Sequence, residues 1–131
     1  MIGLDTNVVV RYFTHDDPQQ TTLARKLMAS LSPESRGFLS LVVIVELVWV
    51  LQGSYRFPKD EIVSALDTLL RSKELAVERA DVAWQALRMF RVGRSEFADC
   101  LIERCAHEAG CERTMTFDRG AASTAGMQLL R

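Results

Sequence analysis

The stretch Phe38-Leu-Ser-Leu-Val-Val-Ile-Val-Glu-Leu-Val-Trp-Val-Leu51 is apolar almost throughout, and Glu46 is its only ionisable residue. With 14 residues it is shorter than the roughly 20 that a helix needs to cross a bilayer, so we expect it to lie in a protein core. An unpaired carboxylate in a core is costly, and such groups are usually protonated, ion-paired or bound to a metal. The sequence therefore predicts that a positive charge compensates Glu46.

The composition fits one soluble globular domain spanning residues 1–131, with 48% hydrophobic and 25% charged residues. The formal net charge of −1 gives no overall basic signal for nucleic acid, although acids that bind a metal would not repel a polyanion. The three cysteines are odd in number and lack CxxC spacing, which favours reduced thiols in a cytoplasmic protein. We expect no signal peptide and no membrane-spanning segment.

Short apolar strands alternate with longer helical segments along the chain. Strands are predicted at residues 2–4, 37–39, 75–77 and 114–117, with a fifth, edge strand at 127–130. Helices are predicted at residues 8–13, 18–31, 41–52, 58–71, 81–92, 96–109 and 121–124, with caps at Asp17, Ser40, Ser95 and the αL glycine Gly53. This alternation predicts an α/β fold in which a short parallel sheet of four to five strands is flanked by helices on both faces.

Four carboxylates fall near the carboxyl ends of these strands, where such sheets bind ligands. Asp5 follows strand one, Asp118 follows strand four, and Glu46 and Asp99 lie on the helices after strand two and before strand four. A helix cap, a turn or a favourable helix dipole would each explain Asp5, Asp118 or Asp99 alone. None of these explains Glu46. One explanation covers all four acids, namely a shared cation at one edge of the sheet.

An all-oxygen carboxylate site is typical of Mg²⁺ or Mn²⁺, whereas Zn²⁺ usually recruits His or Cys. Such an ion can activate water and hold a phosphate oxygen at the same time. The chemistry that this arrangement suits is hydrolysis of a phosphodiester.

The acids lie in four segments, namely Asp5-Thr-Asn-Val8, the helix of Glu46, Phe97-Ala-Asp-Cys-Leu-Ile102 and Thr116-Phe-Asp118. Together these segments resemble the PIN-domain ribonucleases, and in particular the VapC toxins of type II toxin–antitoxin pairs. The resemblance implies a PIN-like fold and a catalytic Mg²⁺ or Mn²⁺ site at Asp5, Glu46, Asp99 and Asp118, with Asn7 and Thr116 orienting these acids. It also implies a toxin that is an endoribonuclease acting on RNA, an antitoxin protein that inhibits it, and a homodimer. Cys100 stands where such sequences more often carry Ala.

Arg11, Arg94 and Arg119 are candidates for contacts with RNA phosphates, although ordinary solvated arginines would also account for them. Trp49 and Trp84 are expected to pack in the core rather than to stack on bases. His15, His107 and Glu96 are expected at the surface.

Two other functions stay open from the residues. A phosphohydrolase that forms an aspartyl phosphate could use Asp5, but such enzymes usually carry a second Asp two residues on, where this chain has Asn7. A catalytically inactive PIN-like module that binds only RNA or protein would not need all four acids.

Overall fold

The computed structural model describes all 131 residues, and short strands alternate with helices along it. The strands are β1 (Ile2–Gly3), β2 (Gly37–Leu39), β3 (Leu75–Val77), β4 (Met115–Thr116) and β5 (Gln128–Leu129). The helices are α1 (Thr6–Phe13), α2 (Pro18–Ser30), α3 (Leu41–Gly53), α4 (Lys59–Arg71), α5 (Ala80–Val92), α6 (Phe97–Glu108) and α7 (Arg119–Thr124). The chain divides into two units, Met1–Glu78 and Arg79–Arg131, which are described separately.

The first unit is built on a parallel sheet in which β2 lies between β1 and β3. Gly37 begins the central strand at a crowded position. A Cβ atom there would approach Leu4 Cδ1 to 2.8 Å and Leu31 Cδ1 to 3.0 Å. The absence of a side chain at residue 37 therefore lets two leucines close over the start of the strand.

Helix α3 is the apolar stretch that follows β2, and it confirms the helical prediction. The Ser40 hydroxyl caps it by accepting a hydrogen bond from Val43 N at 3.2 Å. One face of α3 is buried and supplies much of the core of this unit, through Val43, Ile44, Leu47, Val48 and Leu51. The opposite face carries Val42, Glu46 and Trp49, all exposed. Only part of the stretch lies in the core, because the helical period turns these three residues outward.

The other helices of the first unit pack around this core. Helix α1 contacts α2 and α3, and α3 contacts α4. Asp17 caps α2 through a 3.0 Å bond from Gln20 N, and Pro18 takes the first helical position, both as predicted. Burial of each large aliphatic side chain contributes about 1.5–3 kcal/mol to the free energy that stabilises the folded state. Helix α4 buries five residues on one face, namely Ile62, Val63, Ala65, Leu66 and Leu69.

The second unit consists of the helix pair α5–α6 and the parallel pair β4–β5. The rings of Phe90 and Phe97 meet edge to face with their centroids 5.8 Å apart. Gly110 follows α6 with φ +91°, a conformation that favours glycine, and the helix ends at Glu108, within one residue of the predicted end at 109. Around α7, a small apolar cluster is made by Ala121, Ala125 and Met127.

The parallel α/β class is confirmed, with three differences in detail. The five strands lie in sheets of three and two rather than in one sheet, and none exceeds three residues. Gly53 lies inside α3 and has no positive φ, since the αR residue Ser54 caps the helix. Ser95 does not cap α6, because its hydroxyl donates to Thr124 Oγ1 at 2.6 Å and Glu96 takes the cap position.

Among the seven helices, none combines the length and the apolar character that a membrane span requires.

Candidate active site

Asp5 lies where the chain leaves the first sheet and enters α1. The preceding residue is held to the central strand, because Leu4 N donates to the Phe38 carbonyl at 3.0 Å. Asp5 has extended backbone angles and caps α1, with Oδ1 accepting a 2.8 Å bond from Thr6 N. The strand and the helix together fix the position of this exposed carboxylate.

Glu46 is connected to the same helix end through Thr6. The Thr6 hydroxyl donates to Glu46 Oε1 at 2.6 Å, and Thr6 is only 8% exposed. Glu46 itself is exposed, so the prediction of a carboxylate buried in the core is wrong, and no cation is needed to offset burial. The buried residues next to it in the sequence, Ile44, Leu47 and Val48, face away from Glu46, while Val42 and Trp49 share its exposed face.

Thr6 was not recognised from the sequence, although it is the link between two predicted acids. Its N–H donates to Asp5 and its O–H donates to Glu46. A polar residue at the start of an otherwise valine-rich helix is the one signal that could have indicated it. Each carboxylate keeps a second oxygen, Asp5 Oδ2 and Glu46 Oε2, that accepts no hydrogen bond from the protein. Exposed anionic oxygens of this kind are the ligands that Mg²⁺ and Mn²⁺ prefer.

The second unit holds the other two acids. Asp99 is half-buried in the first turn of α6. Burial raises its pKa above the ordinary aspartate value, and the negative charge of Asp118 raises this pKa further. Two carboxylates that repel each other in this way form a site where a cation would be stabilised.

Asp118 lies in a tight turn between β4 and α7. Its backbone N–H donates to the Thr116 hydroxyl at 3.0 Å, and its Oδ1 accepts a 2.8 Å bond from Gly120 N. Thr116 thus orients the segment that carries Asp118. Asn7, the other residue predicted to orient the acids, is exposed and makes no hydrogen bond to any of them.

The three candidate arginines differ in their surroundings. Arg11 donates to Asp16 at 2.9 Å, to Gln20 at 2.7 Å and to the Tyr55 hydroxyl at 2.8 Å. Arg94 and Arg119 are exposed, and neither forms an ion pair. The guanidinium of Arg11 is therefore engaged within the first unit, while the other two face solvent.

His15, His107 and Glu96 are exposed, as predicted. Trp84 is half-buried, but Trp49 is 58% exposed, so the prediction that Trp49 packs in the core is wrong. It lies on the same outward face of α3 as Glu46. Cys100 is fully buried, whereas Cys111 is exposed.

The acids are found as two pairs, Asp5 with Glu46 and Asp99 with Asp118, one pair in each unit. No set of three or more His, Cys, Asp or Glu side chains is arranged to hold a metal ion. The joint four-carboxylate centre stays a prediction. The chemistry of both pairs, with oxygen ligands and no sulfur or imidazole, fits the predicted hard cation.

Comparisons with known proteins bear on the family. A model of the family described as PIN domain matches residues 2–127. A VapC ribonuclease of Aquifex aeolicus (strain VF5) is 23% identical over 116 residues, which cover 88% of this chain and 86% of that protein. The crystal structure of Mycobacterium tuberculosis VapC20, described as a toxin that cleaves the sarcin–ricin loop, covers 100% of this chain and 99% of its own, with 23% identity and a TM-score of 0.47. At that TM-score the likeness carries no conclusion about this chain.

The family model extends over nearly the entire sequence, from the first strand to Met127. It includes all four acids and both residues predicted to orient them. The resemblance inferred from the four motifs is confirmed at the level of the family: the chain belongs to the PIN domain family.

Proposed function

We propose that this chain is a toxin of the VapC type, an endoribonuclease that depends on Mg²⁺ or Mn²⁺ and hydrolyses phosphodiester bonds in RNA. Membership of the PIN domain family and similarity to a VapC ribonuclease along 88% of the chain support the activity. The observation that carries the site is the Thr6 bridge, which fixes Asp5 and Glu46 while leaving one oxygen of each free.

In this proposal Asp5, Glu46, Asp99 and Asp118 hold the ion between them, within one domain spanning residues 1–131. When bound, a divalent ion lowers the pKa of a water molecule and neutralises charge on a phosphate. The protein supplies the orientation of the acids. Thr6 positions Glu46 and Thr116 positions the turn of Asp118, whereas Asn7 bonds to none of the acids.

The contacts with RNA phosphates are assigned to exposed guanidinium groups. Arg94 and Arg119 are suited to this role, since both are exposed and unpaired. Arg11 lies on α1 beyond the acids, but its three bonds to Asp16, Gln20 and Tyr55 would have to exchange for contacts with RNA. We therefore rank Arg11 below the other two.

The proposed partners are a cognate antitoxin and a second copy of the chain, in the cytoplasm. A cleft of about 280 Å³ in the first unit is lined by residues of α1 and α2, including Asn7 and Leu23. Leu23 is 66% exposed and offers apolar surface at this cleft. An antitoxin that places a basic residue at the acids would inhibit the enzyme. Binding of the purified partner without any effect on cleavage would contradict that mode of inhibition.

The proposal is tested by RNA cleavage in the presence of Mg²⁺ or Mn²⁺, with and without EDTA, for the wild type and Asp5→Asn. Asparagine also caps helices, so the fold should persist. The loss of a charged metal ligand should reduce cleavage by more than the roughly 10- to 100-fold that is typical when a residue that only orients a ligand is lost. Asp17→Asn is the matched control, because the Asp17 carboxylate also caps a helix by accepting a backbone N–H, that of Gln20, and it is not one of the four acids.

Equal cleavage by Asp5→Asn and the wild type would refute the proposed mechanism. Titration calorimetry with Mg²⁺ and Mn²⁺ separates the alternative of an inactive binding module. A chain that binds RNA but takes up neither ion would belong to that alternative.

A further inference from the structure

Only two of the ten aromatic side chains in this chain are exposed, and each lies beside a predicted catalytic acid. Trp49 is 58% exposed and follows Glu46 by three residues on α3. Phe117 is 80% exposed and directly precedes Asp118. The two rings belong to different units, so an exposed aromatic ring next to a predicted catalytic acid occurs twice, independently.

On α3, the ring of Trp49 shares an outward face with Glu46. Residues three apart on a helix are surface neighbours, which places the indole next to the carboxylate. Val42, one turn before Glu46, is also exposed, at 67%. A dry protein interface over this face would bury the Glu46 carboxylate at its centre, which is costly. A flat ligand that covers the indole alone leaves the carboxylate open.

In the second unit, the exposed ring is carried by a tight turn. Residues on both sides of Phe117 are hydrogen-bonded, since the Thr116 hydroxyl accepts from Asp118 N at 3.0 Å and the Asp118 carboxylate accepts from Gly120 N at 2.8 Å. Phe117 therefore lies in a short turn fixed by two side-chain bonds. Neither Phe117 nor Trp49 pairs with another aromatic ring of the chain.

We propose that Trp49 and Phe117 are each a stacking surface for an unpaired RNA base, Trp49 beside Glu46 on α3 and Phe117 beside Asp118 in its turn. This inference rests on the proposed function and adds a selectivity to it. Aromatic rings stack on any base, because every base has a π face, but only on a base that is free of its own helix. Binding through either ring then requires an unpaired or easily unstacked base, and it discriminates little among base identities.

The test measures RNA affinity in the Asp5→Asn background, where the RNA stays intact. Trp49→Ala and Phe117→Ala should each weaken binding of an unpaired RNA by roughly 5- to 150-fold, as loss of one stacked base does. Trp49→Phe and Phe117→Tyr should restore most of the affinity. All four changes should have little effect on the weak binding of a duplex of the same sequence.

Two exposed aliphatic residues provide matched controls. Val42 lies four residues before Glu46, and Ile102, which is 54% exposed, lies three residues after Asp99. Val42→Ala and Ile102→Ala remove exposed apolar surface beside an acid but no π face. Both should leave RNA affinity unchanged.

A substrate with an abasic position tests the contact directly. Removal of the base that stacks on Trp49 should weaken wild-type binding to the level of Trp49→Ala, and the two changes together should cause no further loss. If the two changes instead reduced the binding free energy additively, the Trp49 ring and that base would not be in contact.

The outcomes separate this inference from the proposed function. If the wild type cleaves RNA and the alanine variants bind unpaired RNA as tightly as the controls, the stacking inference fails and the nuclease proposal stands. If the variants instead alter the oligomeric state in gel filtration with RNA affinity unchanged, the rings belong to a protein interface and the inference is again overturned. If the wild type neither binds nor cleaves any RNA, both proposals fail.

Discussion

Replacement of Thr6 by valine should separate catalysis from stability. The side chain is 8% exposed, and its hydroxyl donates to Glu46 Oε1 at 2.6 Å. Valine keeps the branched shape and removes the donor. Because Glu46 is exposed, water replaces the lost bond, and the free energy of unfolding should fall by no more than about 0.5–1.5 kcal/mol. Such a change corresponds to a melting temperature lower by a few degrees, roughly 2–8 °C per kcal/mol for domains of this size range.

The effect of Thr6→Val on activity should be much larger. Loss of the group that orients a metal ligand typically costs roughly 10- to 100-fold in metal affinity or activity. The assay is the Mg²⁺ dependence of RNA cleavage, measured well below the melting temperature of the variant. Thr6→Ser keeps the hydroxyl and should restore the wild-type Mg²⁺ dependence.

Thr21→Val is the control with the opposite expectation. The buried Thr21 hydroxyl donates to the carbonyl of Thr14, also buried, at 2.9 Å. Its loss leaves a buried acceptor unpaired, which costs about 1–3 kcal/mol of stability, but it should not change cleavage by the folded protein. Wild-type Mg²⁺ dependence in Thr6→Val, or a cleavage defect of equal size in Thr21→Val, would refute the reasoning.

Three further substitutions test separate parts of the structure. Glu46→Gln should weaken Mg²⁺ binding and cleavage while circular dichroism stays unchanged, since the side chain is exposed; an unfolded variant would show that Glu46 supports the fold. Thr116→Val removes the acceptor for Asp118 N at 3.0 Å and should lower cleavage by about 10-fold, and a wild-type rate would mean that the turn is held without it. Tyr55→Phe removes a 2.9 Å bond to Asp16 that is the main cause of the lowered pKa of that carboxyl. The bond stabilises the folded state above the ordinary aspartate pKa of about 3.9 and is lost as the pH falls through the lower folded-state value. The melting temperature of Tyr55→Phe should therefore be lower than that of the wild type at neutral pH but not in stronger acid. A difference in melting temperature that persists in acid would contradict the assignment of the lowered pKa to this bond.

Local signals in the sequence were sufficient for most of the secondary structure. Asp17-Pro18 and Ser40 predicted the starts of α2 and α3, because a capping side chain or a fixed φ acts within one helical turn. The residues of β2 and β3 were predicted with the bounds found in the structure. The four motifs that carry the acids, taken in order along the chain, resembled the family that the comparison then confirmed.

The orientation of α3 could not be read from its sequence. Valine occupies buried and exposed positions alike, so the apolar pattern has no clear helical phase, and both Glu46 and Trp49 were placed in the core. Tertiary packing decides which face is covered. The end of α3 was also mispredicted at Gly53, while the positive φ of 55° after it falls on Arg56, a residue type with no preference for that conformation.

The exposed position of Glu46 has a consequence for variants that lose activity. Since its side chain adds little to the core, a substitution there can abolish the chemistry and still yield a stable protein. If the chain binds an antitoxin and a second copy of itself, as proposed, such a protein would keep the surfaces for both. Produced beside the wild type, it would take up antitoxin and enter mixed dimers, and the two effects would act in opposite directions. The first would release active enzyme, and the second would make the inactive allele dominant-negative.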